Sequence, residues 1–134
     1  MSLRALLRAL DAARSASAGE LSERLGIPRA AIAAQVGAAR RLGIGILGVP
    51  GQGYRLAQPL DLLDAGSLQR ALAPAAKRRL TTLEVALDLD STNSELLRRA
   101  SAGTPSGAVL LAEHQSAGRG RRGRTWQSPV AANR

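Results

Sequence analysis

The chain has 134 residues, 45% of them hydrophobic, with no cysteine and no phenylalanine, so it excludes disulfides and thiolate metal sites and must build any core from Leu, Ile, Val and Ala. Its formal net charge is +9, from nineteen basic residues (all arginine except Lys77) against ten acids. No apolar run reaches membrane-spanning length and Met1-Ser2-Leu3-Arg4 opens no signal peptide, so the reading is a cytoplasmic protein with no membrane partner.

The charge is unevenly placed. Residues 1–60 carry eight arginines against Asp11, Glu20 and Glu23, and residues 115–134 carry five arginines and no acid, whereas the middle is nearly balanced. Two basic ends point to two anionic partners.

Leu3, Leu6, Leu7 and Leu10 follow helical spacing and predict a first helix from about Ser2 to Arg14. Ser17 with Glu20 forms a capping box for a second helix through Leu25. Pro28 suits the first turn of a third helix, which runs to Leu42 before Gly43 ends it. Ile44–Val49 and Gly53–Leu56, around Pro50-Gly51-Gln52, read as a β-hairpin. Helix-turn-helix followed by hairpin is a winged helix, over residues 1–58; the alternative is a small bundle with a solvated basic face. The DNA-facing residues of that fold are Arg29, Gln35, Arg40 and Arg41 on the third helix and Arg55 in the wing. Alanines fill most of the rest of the helix and cannot read bases by hydrogen bonds, so the expected binding is salt-sensitive and weakly specific.

Residues 59–80 read as a helical linker, with a helix from Leu60 to Leu72 stopped by Pro74 and a charged stretch Lys77-Arg78-Arg79. Residues 81–134 then open an α+β domain. Leu83–Leu87 alternates as a strand, Thr92 with Glu95 suggests a capped helix, and Ala108–Ala112 is a continuous apolar strand. That strand leads into Gly118-Arg119-Gly120-Arg121-Arg122-Gly123-Arg124, with four arginines and three glycines in seven residues. Its glycines let the backbone curl around an anion and its guanidiniums fork onto phosphate or carboxylate oxygens. The match to the dinucleotide fingerprint is weak, because Thr125-Trp126-Gln127-Ser128-Pro129 starts no helix. A solvated basic loop is the alternative. Trp126 reads as an apolar anchor for the loop's far end, and His114, the only histidine, has no ligand partner nearby, so no metal site is assigned.

Taken together, Asp90-Ser91-Thr92-Asn93-Ser94, Ala112-Glu113-His114-Gln115 through Pro129, and Ala132-Asn133 resemble the bacterial biotin protein ligases whose N-terminal winged helix doubles as biotin operon repressor. Leu25–Ile32 and Val49–Leu56 carry the resemblance upstream. It implies the fold of a winged helix-turn-helix followed by the start of a mixed-sheet ligase domain. It also implies that biotin and ATP, with Mg²⁺, give biotinyl-5′-AMP, whose biotinyl group passes to a lysine of a biotin carboxyl carrier domain. Ser91, Thr92, Asn93 and Gln115 then bind biotin, and Gly118, Arg119, Gly120 and Arg121 surround the mixed anhydride. Operator DNA and a homodimer formed on ligand binding are the further partners implied. The family's catalytic lysine falls downstream of Arg134, so the chain reads as truncated, with no catalytic residue of its own and no adenylation expected from residues 1–134 alone. A DNA-binding regulator of biotin genes without ligase activity is the alternative function.

Overall fold

The computed structural model describes residues 2–126 and 129–130; Gln127, Ser128, Ala132 and Asn133, which contribute to the resemblance, lie outside the described residues. The chain divides after Asp61 into two units.

In the first unit, α1 spans Leu3–Ala9, α2 Ala18–Leu25 and α3 Arg29–Arg41, and β1 (Ile46–Val49) pairs antiparallel with β2 (Gly53–Leu56). Helix α1 is shorter than its leucine spacing predicts. Beyond Leu10, the Asp11 carboxylate accepts from the Ala13 and Arg14 N–H groups (2.5 and 3.2 Å), closing a turn that competes with the next helical one. The capping box on α2 is present: Ser17 Oγ accepts from Glu20 N–H (3.1 Å) while Glu20 Oε2 accepts from Ser17 N–H (2.6 Å). Pro28 stands at the N-cap of α3 rather than inside its first turn. Gly53 is required where it is, because Ala16 and Tyr54 exchange two 2.8 Å main-chain hydrogen bonds and a Cβ on Gly53 would meet the Ala16 carbonyl oxygen. Leu6, Leu7, Leu21, Ile32, Val36, Ile46 and Leu56 are buried together, each contributing about 1.5–3 kcal/mol of apolar burial. Three helices closed by this hairpin are a winged helix.

In the second unit, α4 spans Ala65–Ala71 and α5 Pro74–Arg79. Helix α4 starts late because Asp64 caps it, accepting from Ser67 N–H at 2.8 Å. Pro74 opens α5 instead of merely stopping α4, since a first helical position needs no N–H. Strand β3 (Thr82–Leu89) lies parallel to β4 (Ala108–Gln115), joined by α6 (Thr92–Ser101). Both strands are longer than expected, and β4 absorbs Glu113, His114 and Gln115. Strands β5 (Gly118–Arg119) and β6 (Thr125–Trp126) form a small antiparallel hairpin. A parallel strand–helix–strand unit with added helices and a hairpin gives the α+β class. Among the described residues, Leu110 is the only buried apolar side chain of this unit, and Leu97 is 61% exposed. No helix among the described residues is long and apolar enough to cross a membrane.

Candidate functional site

The parallel topology brings the C-terminal ends of β3 and β4 together with the N-terminus of α6, the edge where open α/β sheets place their ligands. Ser91, not Thr92, is the N-cap of α6: it is 2% exposed and its Oγ accepts from Ser94 N–H at 3.4 Å. The capping box expected between Thr92 and Glu95 is absent for a physical reason. Thr92 gives both its N–H and its hydroxyl to Gln115 Oε1 (2.8 and 3.2 Å), while the Glu95 carboxylate goes to Arg98 and Arg99. Asn93 is exposed beside them. Ser91, Thr92, Asn93 and Gln115 are therefore adjacent, although Gln115 is twenty-three positions from Thr92. A main-chain N–H can face only an acceptor, so Thr92 fixes which end of the Gln115 amide points away. The two N–H donors on Nε2 have no hydrogen-bond partner among the described residues.

The chain leaves this edge tied to it. Ser116 N–H donates to Leu89 O (2.9 Å) and Ala117 N–H to Asp90 O (2.8 Å), which delivers the Arg/Gly stretch to the end of the α6 turn. Gly118 pairs with Trp126 and is buried, and a Cβ there would lie 2.8 Å from the Trp126 carbonyl oxygen. Gly120 N–H donates to Arg124 O at 2.7 Å, and the tip between them turns through Arg122 and Gly123 at φ 60 and 73. Arg119, Arg121, Arg122 and Arg124 are exposed, and none has a side-chain hydrogen bond or ion pair among the described residues. Trp126, expected as an apolar anchor, is 58% exposed, with its Cβ and Cδ1 3.3 Å from where a Cβ on Gly118 would lie.

Asp90, Glu95, Arg98, Arg99 and Glu113, outside the predicted set, organise this edge. Asp90 receives both guanidinium arms of Arg98 (3.0 and 3.1 Å) and accepts from Ser91 N–H (2.7 Å). Arg98 and the Ser91 N–H, in that order, hold the Asp90 carboxyl at about 2. Glu95 is held below the usual carboxylate range by Arg99 and then Arg98, and Arg99 continues the chain of charges to Glu84 at 2.9 Å. Glu113 is 1% exposed and accepts from Leu63 N–H at 2.5 Å, a polar hold beneath the sheet. An acid at an inward position of an otherwise apolar strand was the sequence signal for it. His114, to which no metal role was assigned, pairs with Asp88 across the strands (Nδ1–Oδ1 2.8 Å), a pairing that the parallel register decides.

In the first unit the predicted DNA-facing residues separate. Arg29 and Arg41 are exposed on α3 with no side-chain partner among the described residues. Arg40 instead donates through Nε and Nη2 to Ile46 O (3.0 and 2.8 Å), fastening α3 to the wing. Arg55 donates to Ala12 O (3.1 Å). Gln35 Oε1 is buried, with no hydrogen-bond partner among the described residues.

Comparison with known proteins follows the same division. Residues 2–55 match the HTH domain family, and residues 85–132 match the biotin/lipoate A/B protein ligase family. The bifunctional ligase/repressor BirA of Salmonella typhimurium is 44% identical over 117 residues, and that of Escherichia coli K12 is 41% identical over 117; each alignment covers 87% of this chain and 34% of the relative. A biotin–[acetyl-CoA-carboxylase] ligase of Mycobacterium tuberculosis is 42% identical over 86 residues, 58% of this chain and 28% of that protein. The class is thus a helix-turn-helix domain joined to the opening of a biotin/lipoate ligase domain. The chain is similar to the bifunctional ligase/repressors over 87% of its own length, and spans about a third of the length of the curated relatives it matches.

Proposed function

We propose that this chain forms the N-terminal part of a biotin–protein ligase that is also a DNA-binding repressor, working in the cytoplasm. In the first step a carboxylate oxygen of biotin attacks the α-phosphorus of ATP and pyrophosphate leaves. In the second, a lysine amine of a biotin carboxyl carrier domain attacks the acyl carbon and AMP leaves. The observation that carries this reading is the joining of Thr92 to Gln115 at the edge where the Arg/Gly hairpin begins.

Ser91, Thr92, Asn93 and Gln115 suit a neutral, hydrogen-bonding ligand such as the ureido ring of biotin, with the Gln115 donors turned toward an acceptor. Gly118, Arg119, Gly120 and Arg121 suit the phosphate of the mixed anhydride: unpaired guanidiniums approach an anion without first breaking an internal ion pair. Mg²⁺ accompanies ATP and, when bound, neutralises phosphate charge. Among the described residues no three His, Asp or Glu side chains gather to hold a metal, so the fit is to an ion carried on the phosphates.

The winged helix supplies the repressor half. Arg29 and Arg41 are proposed as phosphate contacts. Arg40 and Arg55 hold the wing, and the small, exposed residues Ala30, Ala33 and Ala34 face the groove. Specificity for the operator is weak on these side chains alone, and a homodimer formed on ligand binding would add a second half-site. Isothermal titration with biotinyl-AMP tests the ligand site, and a gel shift across a salt series tests the winged helix. No heat with biotinyl-AMP overturns the first, and DNA affinity that is flat with salt overturns the second.

A further inference from the structure

Asp90 belongs to none of the binding roles above, yet it touches both halves of the proposed site. Its carboxylate accepts from Ser91 N–H at 2.7 Å, and its carbonyl accepts from Ala117 N–H at 2.8 Å, one residue before the Arg/Gly hairpin. The same carboxylate is gripped by both arms of Arg98, which is itself held by Glu95 (2.7 Å). Arg98 is 56% exposed and two turns into α6. Its fork therefore spans from the body of the helix back to the turn that precedes it.

We infer that Asp90 is a positioning residue that sets the spacing between the Ser91–Asn93 turn and the Gly118–Arg124 hairpin, and that Arg98 locks it in place. The inference rests on reading those two segments as one ligand site. The physics is of a planar fork on a carboxylate. Two parallel hydrogen bonds fix the orientation of the Asp90 side chain as one bond cannot. With that orientation fixed, Ser91 N–H and the residue's own carbonyl are fixed with it. Arg98, acting through Asp90, would thus govern how the hairpin arginines and Gln115 are presented to a ligand.

Hydrogen exchange on the ¹⁵N-labelled chain of residues 1–134, without ligand, tests the lock directly. In Arg98→Ala the Ser91 and Ala117 amides are expected to exchange about tenfold faster, the loss of a charge-assisted hold, while the β3–β4 ladder keeps its rates. Arg98→Lys, which keeps the charge but not the fork, should fall between. Asp90→Asn keeps an acceptor for Ser91 and should also free both amides in part. Calorimetry with biotinyl-AMP then gives a roughly tenfold weaker complex for Arg98→Ala, partly restored in Arg98→Lys. Unchanged exchange at Ser91 and Ala117 in Arg98→Ala overturns the inference, as does faster exchange spread evenly through the unit. A wild-type chain that does not bind biotinyl-AMP overturns the site reading instead and leaves the exchange result to be judged alone.

Discussion

Thr92 and Gln115 meet at 2.8 Å across the end of a parallel strand pair, and the geometry gives their bond a direction: Thr92 donates, Gln115 accepts. Gln115→Glu keeps that acceptor and removes the two outward donors, whereas Gln115→Ala removes both. The expected outcome is a melting temperature near wild type for Gln115→Glu and about 1 kcal/mol lost in Gln115→Ala, with biotinyl-AMP affinity reduced in both. Thermal denaturation followed by circular dichroism, beside calorimetry, checks it; full affinity in Gln115→Glu would mean that the amide donors face no ligand.

Arg29 and Arg40 make a second contrast on one helix. Arg29→Ala should leave the melting curve unchanged and lower the slope of log affinity for DNA against log salt by about 1. Arg40→Ala should cost about 1 kcal/mol of stability, because the Ile46 carbonyl loses its two donors. Gel shifts at several salt concentrations and urea denaturation separate the two effects.

Gly53 combines φ 98 with a neighbouring carbonyl that a Cβ would strike. Gly53→Ala is expected to destabilise the first unit by more than about 1 kcal/mol, through backbone strain and the broken Ala16–Tyr54 exchange. Loss of the Tyr54 amide's protection from exchange would report it; a wild-type melting curve would show that the wing can shift aside freely.

Asp90 provides the pH dependence. Its folded carboxyl, at about 2, lies below the ordinary 3.8, so the charged form is favoured by folding. The stability it contributes is complete above about pH 4 and is lost as pH falls toward 2. Between those values wild type should lose stability more steeply than Asp90→Asn, which has no charge to lose. Parallel acid titrations followed by circular dichroism measure the difference.

Much of the architecture is legible from the chain. The Ser17–Glu20 box and the Pro50-Gly51-Gln52 turn each act within a few residues, and each is where it was expected. The departures come where a local signal met a competitor. Asp11 turned the chain before α1 could continue, Pro74 began a helix it was expected only to end, and Thr92 left its capping role for a partner on β4. Glu113 falls beyond the expected strand Ala108–Ala112 because its buried partner, Leu63, is fifty positions away.

Composition and short-range pattern therefore determined the two-part organisation, the winged helix, the strand–helix–strand start and the arginine-rich segment that follows it. Only the tertiary structure decided which arginines are spent on carbonyls, as Arg40 and Arg55 are, and which have no side-chain partner among the described residues, as Arg29 and Arg41 do. It alone brought Ser91, Asp90, Gln115 and Ala117 to one edge. The physical reason is range: helical periodicity, caps and turns are settled by neighbours in sequence, whereas partners such as Thr92 and Gln115, twenty-three positions apart, are settled by which distant segments pack together.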